Sequence, residues 1–244
     1  LRTLKLHNNR NLDHQKLFQQ LVELPRLEEL VISKTILSEQ HDRFVMPKEL
    51  TELKNLKRLD MATSQNLVID SLFEVLVKLP KLEYLNMHDN GTVDWITQLP
   101  DVLNEFKQLK ELDISASGPH PLDKVSTLPP NLQKLDYSYA HFDEDVPMQN
   151  VIFTATSLKS LNLNSCELKE LPEEIGNLTN LVHLDLGNNQ LKDLPESITK
   201  LKKLRYLNLM GTHISESKEK RQEIEQMLPN TLVFFGEYEA YEPL

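Results

Sequence analysis

The sequence predicts an α/β solenoid, a horseshoe whose concave wall is a parallel β-sheet of nine or ten short strands and whose convex wall is built of helices and 3₁₀-like turns. Three observations predict it. One nine-residue pattern, L-x-x-L-x-L-x-x-N, recurs nine times; its copies start at near-regular intervals; and within each copy apolar residues at the fourth and sixth places alternate with polar ones.

The copies begin at Leu1, Leu27, Leu56, Leu82, Leu109, Leu132, Leu158, Leu181 and Leu204, separated by 26, 29, 26, 27, 23, 26, 23 and 23 residues. Alternation makes each copy a short strand whose two apolar side chains point one way. One coil cannot bury that face alone, but stacked coils share a continuous core, and their strands pair in parallel. The ninth place turns the chain off the sheet. Its side chain can hydrogen-bond backbone groups that would otherwise be buried and unpaired. It reads Asn9, Thr35, Ser64, Asn90, Ser117, Ala140, Cys166, Asn189 and Thr212. Alanine cannot do this work, so a local irregularity is expected at Ala140.

This pattern resembles the leucine-rich-repeat family over essentially the whole chain. The segment LNLNSCELKELPEEIGNLTNLVHLDLGNNQLKDLPESITKLKKLRYLNL is similar to the 23-residue class of bacterial and Ras-associated intracellular repeats. The stretch Leu128-Pro129-Pro130-Asn131-Leu132 resembles the L-P-x-x-L element of secreted bacterial effectors, and occurs once. The resemblance implies protein binding through the concave face, and Cys166 as a family substitute for asparagine at the ninth place.

The first coils are longer, and their extra residues have helical spacing. Leu17, Phe18, Leu21 and Leu24 follow Asp13; Leu72, Phe73, Leu76 and Leu79 follow a capping-box pattern from Ser71 to Glu74; a third helix is expected around Val102 to Phe106. Leu171 to Leu178 and Leu194 to Leu201 should be extended or 3₁₀-like. The wider helices predict a front half more curved than the back. The proline-rich connection from Gly118 to Pro130 should be irregular rather than helical.

The solenoid is expected over residues 1–212, followed by a C-terminal cap over 213–235 and an acidic tail over 236–244. The cap is a helix from Ser215 to Leu228, with Ser215 as N-cap and Ile224, Met227 and Leu228 on one face, then a last strand in Leu232 to Phe235. The apolar Leu1, Leu4 and Leu6 have no cap before them, so the natural chain is expected to continue upstream.

Chemistry is sparse in the sequence. Thirty-seven acidic against 27 basic residues give a net charge of -10, which disfavours nucleic acid as a partner. The eight histidines are scattered over different coils without metal-ligand spacing, and the six glycines form no phosphate-cradling loop, so neither a cofactor nor a metal is expected. Cys166 has no base placed beside it by sequence and is read as structural. One cysteine allows no intrachain disulfide, which points to a reducing, cytoplasmic setting. A secreted bacterial protein stays open, because Leu1 falls inside a motif. No apolar run reaches the roughly 18 residues of a membrane span. Of two glycosylation triplets, Asn90 should be buried in its turn, and Asn177 could be exposed.

The binding face is expected on the concave strands. At the fifth place stand Lys5, Val31, Asp60, Asn86, Asp113, Asp136, Asn162, Asp185 and Asn208, an Asp and Asn ladder from the third coil onward. It is either a solubilising feature of such strands or an acidic stripe for basic side chains of a partner. Tyr84 with His88, and Tyr139 with His183 and Tyr206, are candidate anchors in two patches. Tyr137, at an inward place, should be core, and Trp95 should pack an outer turn. The function these residues imply is non-enzymatic binding of a protein or peptide. The alternative is a ligand-sensing repeat segment of a larger receptor or a secreted bacterial effector.

Overall fold

The computed structural model describes residues 1–9, 12–35, 44–64, 67–90, 98–118, 121–142, 148 and 150–236. Trp95 and all but the first residue of the acidic tail lie outside them.

Ten strands form one parallel sheet in strict chain order: β1 (Thr3–Lys5), β2 (Glu29–Val31), β3 (Arg58–Asp60), β4 (Tyr84–Asn86), β5 (Glu111–Asp113), β6 (Lys134–Asp136), β7 (Ser160–Asn162), β8 (His183–Asp185), β9 (Tyr206–Asn208) and β10 (Leu232–Phe234). Each pairing keeps third place beside third, fourth beside fourth and fifth beside fifth, as with Tyr84, Leu85 and Asn86 against Glu111, Leu112 and Asp113. The open sheet places like positions in continuous rows. The fourth-place and sixth-place side chains point inward. From Leu27 to Leu209 they are buried and run into one apolar core.

Every coil leaves the sheet by the same device. The eighth-place residue has a left-handed backbone, at Asn8, Lys34, Thr63, Asp89, Ala116, Tyr139, Ser165, Asn188 and Gly211. Eight of the nine are not glycine and so carry a conformational cost. Hydrogen bonding to the next coil offsets it, since the eighth-place N–H donates to the next seventh-place carbonyl, as Asn188 does to Met210 at 2.7 Å.

The ninth-place ladder does what its residue types allow. Asn189 Nδ2 donates to the carbonyls of Leu163 and Leu186 at 2.8 Å, and Oδ1 accepts from the amides of Cys166 and Leu168 at 3.0 Å. Asn90 is buried, with Oδ1 accepting from Ser64 N at 2.6 Å. The irregularity expected at Ala140 is absent. Tyr139 keeps the common turn and donates to Asn164 O at 2.9 Å. The physical reason lies one coil on, where the Cys166 thiol donates to the Tyr137 carbonyl at 3.3 Å and relieves one group that Ala140 leaves open.

On the convex wall, α1 (His14–Leu21) is capped by Asp13, whose side chain accepts from Lys16 N, and buries Leu17, Phe18 and Leu21. Helix α2 (Ile69–Leu76) buries Leu72, Phe73, Val75 and Leu76. The capping box at Ser71 is not formed. The helix begins two residues earlier, and Ser71 Oγ donates back to Val68 O at 2.8 Å. Nor is there a helix at Val102 to Phe106. Only Leu103–Glu105 forms a 3₁₀ turn, closed by the Phe106 amide donating to Leu103 O three residues back at 3.2 Å. Further 3₁₀ turns span Lys48–Glu52, Asn150–Thr154, Glu173–Asn177 and Glu196–Lys200. Pro47, Pro172 and Pro195 begin three of them, where an amide would have no partner. The described part of the Gly118 to Pro130 connection contains no helix.

The C-terminal helix divides in two. Thr212 caps α3 (His213–Glu216) and Ser217 caps α4 (Lys218–Met227), so Ser215 is not a cap but a buried residue whose hydroxyl donates to Thr212 O at 2.6 Å. Ile224 and Leu228 are buried, with Met227 packed beside them. Lys220 ties the helix to the last full coil through Asp193 at 2.6 Å.

Candidate functional site

Strand geometry puts the third and fifth places of every coil on the concave face, and the seventh place follows as the chain leaves the sheet. The fifth-place ladder has a local reason that patterning alone did not reveal. In each case from Asp60 to Asn208, side-chain Oδ1 accepts the backbone amide two residues on, at 2.9 to 3.1 Å. Asp and Asn serve equally, because both offer that oxygen. The residue type is therefore set first by the turn, and the charge is left over for other uses.

Those charges are further shared in the back half. Asn162 Nδ2 donates to Asp136 Oδ2 at 2.9 Å. Asn164 and Asn208 both donate to Asp185 Oδ1, at 3.2 and 3.0 Å. Their convergence needs Gly187, since a Cβ there would lie 2.7 Å from Asn164 Nδ2 and 2.8 Å from Asn208 Nδ2. The strongest acidic character expected of the ladder is thus moderated at Asp136 and Asp185. Asp113 receives Ser115 N at 3.0 Å and Ser115 Oγ at 2.5 Å, much as Asp136 receives Ser138 N and Oγ at 3.1 and 2.7 Å.

Ser115 Oγ also meets His88 Nδ1 at 2.8 Å. With its only proton given to Asp113, the Ser115 hydroxyl accepts from the imidazole N–H. A base that activates a nucleophile must run the other way, so this trio does not have the arrangement of a hydrolytic triad. Cys166 is no nucleophile either. Burial raises its thiol pKa to about 12, and the sulfur is held against backbone carbonyls. Tyr137 is core, packed edge-on to Phe142 with ring centroids 5.3 Å apart, as its inward place predicts.

The expected anchors divide differently from the sequence reading. Tyr84 joins Arg58 rather than His88, with the guanidinium 3.8 Å above its ring. Burial and, after it, nearby Asp60 raise the Tyr84 phenol above its ordinary value. His183 and Tyr206 are neighbours, with ring centroids 6.4 Å apart, and burial raises the Tyr206 phenol. Tyr139 does not join them. It occupies the eighth place of a coil two strands away, on the turn, where it is 56 % exposed.

Three residues missed by sequence reasoning complete the second patch. The apolar run of β10 alternates, so Val233 and Phe235 pack on the core while Leu232 and Phe234 face outward, 68 % and 36 % exposed. Leu232 stands beside Tyr206, and Phe234 beside Asn208. Met210, 36 % exposed, follows at the seventh place. The signal was present in the period-two alternation of the last strand, but a short apolar run reads equally well as wholly buried. At the other end, Lys5, Glu29, Val31, Arg58, Asp60 and Tyr84 surround an open depression of about 300 Å³ over β1 to β4.

Ten in-register parallel strands and a left-handed eighth-place residue in each of nine turns fix the architecture, and comparison with known proteins agrees. The leucine-rich repeat region family matches residues 132–228. The chain has the fold of a leucine-rich-repeat solenoid, and the family's pattern is matched over its C-terminal part. A leucine-rich-repeat protein of Leptospira interrogans shares 26% identity with it at a TM-score of 0.54, over 96% of this chain and 49% of that one. A chain of the TLR13-ssRNA13 complex shares 25% at 0.64, over 87% and 29%. A chain of the mouse RP105/MD-1 complex shares 22% at 0.65, over 87% and 34%. This solenoid therefore spans about half the length of the Leptospira protein and about a third of the other two. No curated protein sequence matches it.

Proposed function

We propose that this solenoid is a non-enzymatic interaction module that receives a protein or peptide on its concave sheet. One observation carries the reading. Tyr206, Met210, Leu232 and Phe234 bring aromatic and aliphatic surface together at one end of a largely polar face, and His183 borders it. Exposed apolar surface rimmed by polar groups is the usual mark of a binding site, and aromatic side chains are its usual anchors. The repeat fold supports the same reading, since among its structural neighbours RP105 is seen in complex with MD-1. Another neighbour, TLR13, is seen with single-stranded RNA. The net charge of -10 and the Asp-bearing fifth-place row favour a protein here. A second reading, ligand sensing rather than stable partner binding, uses the same face.

Photo-crosslinking tests the face directly. A crosslinking amino acid placed at Tyr206 or Leu232 should capture the partner, and one placed at Glu174 or Glu196 on the convex wall should not. Capture only from the convex positions would move the site to the opposite wall.

A further inference from the structure

We propose that the depression over β1 to β4 recognises, in the protein partner, an acidic and a basic side chain about 7 Å apart on one face. The inference rests on the concave-face reading above and specifies the partner's chemistry at its front end. Arg58 and Asp60 lie two residues apart on β3, so both project into the concavity at about 7 Å spacing. Opposite charges so placed would ordinarily lean together. Here neither makes an ion pair among the described residues.

Each is held apart by a separate contact. The Arg58 guanidinium is stacked on the Tyr84 ring at 3.8 Å, which fixes its plane and leaves its edge N–H groups for a ligand. Asp60 turns one oxygen to Ala62 N at 3.0 Å, as its place in the ladder requires. The other acid of the depression is already engaged, Glu29 meeting Lys5 at 3.4 Å and the Thr3 hydroxyl at 3.2 Å. Beside Asp60 the fifth-place row is interrupted by Val31, an apolar residue that lines the depression.

The result is a fixed pair of unlike charges with no net charge. A purely acidic or purely basic partner meets repulsion at one of the two. A segment with an acid and a base two residues apart in an extended strand, or about 6 Å apart at four residues in a helix, satisfies both. Its acid takes the Arg58 fork, its base takes Asp60, and the intervening methylenes lie on Val31.

A display library of twelve-residue peptides selected against the whole chain supplies the probe. Enriched peptides should carry an acid and a base at one of these spacings. Replacing the peptide's base with Gln should weaken binding more than tenfold to the native chain but less than threefold to Asp60→Asn. That variant keeps the oxygen needed by Ala62, as Asn86, Asn162 and Asn208 do at the same place. Replacing the acid should behave likewise against Arg58→Gln. Enriched peptides without such a pair, or equal losses on native and variant chains, would overturn the proposal while leaving the concave-face reading standing. Failure of the library to yield any peptide that Tyr206→Ala or Arg58→Gln weakens would overturn both.

Discussion

Replacing Asn189 with alanine tests the physical account of the fold at its most demanding point. The side chain is buried and joins two coils. Its Oδ1 is the acceptor for the Cys166 and Leu168 amides at 3.0 Å, both in buried residues. Its Nδ2 serves the Leu163 and Leu186 carbonyls at 2.8 Å. The Gly187 carbonyl, also reached at 3.2 Å, keeps a second donor in Ser165 N at 2.9 Å and is not orphaned. Each buried amide stranded without a partner costs about 1–3 kcal/mol, so the two together cost about 2–6 kcal/mol, with a central expectation of about 4 kcal/mol. Urea unfolding should show this as a lowered midpoint. Amide hydrogen exchange should locate it, with protection lost first at Cys166 and Leu168. Asn189→Asp retains the acceptor but sets a buried carboxylate oxygen against the Leu163 and Leu186 carbonyls, so it should cost at least as much as alanine. A shift below about 1 kcal/mol in the alanine variant, with both amides still protected, would refute the ladder's stabilising role.

Other expectations follow from the same contacts. Tyr84→Ala, His183→Ala and Tyr206→Ala combined should weaken partner binding more than tenfold with the circular dichroism spectrum unchanged; unaltered affinity in a folded variant would count against these anchors. Gly187→Ala forces Asn164 and Asn208 away from Asp185 and should destabilise by about 1–3 kcal/mol, measurable by thermal melting; no loss would mean that the three side chains reorganise freely. Cys166, with a thiol pKa of about 12, should resist alkylation at pH 8 in the folded chain and react only on unfolding, so rapid labelling of native protein would contradict its burial. Burial lowers the His14 pKa, an effect only partly opposed by Asp13. Neutral imidazole is thus favoured by folding, and this contribution is present above the ordinary value of about 6.5 and lost as pH falls below it. Melting temperatures at pH 7 and 5 should differ more for the native chain than for His14→Gln, and equal differences would remove His14 from the account.

The sequence by itself determined the repeating unit, the strand positions and their register, because period-two alternation and a fixed turn are local properties of each nine-residue copy. It also identified Tyr137 as an interior residue, since its place in the copy points inward, and Cys166 as a structural residue of the ninth place. Tertiary structure alone decided how neighbouring coils share polar groups. The regular turn at Ala140 depends on Cys166 in the next coil, and the convergence on Asp185 depends on amides from two other coils and on the empty space at Gly187. The candidate site divides in the same way. The rows of exposed residues were legible, but Arg58 on Tyr84, the open pair Arg58 and Asp60, and the outward faces of Leu232 and Phe234 were not. A repeat pattern specifies which way a side chain points; which of its neighbours it then meets depends on stacking between coils, where residues more than twenty positions apart in the chain come within hydrogen-bond distance.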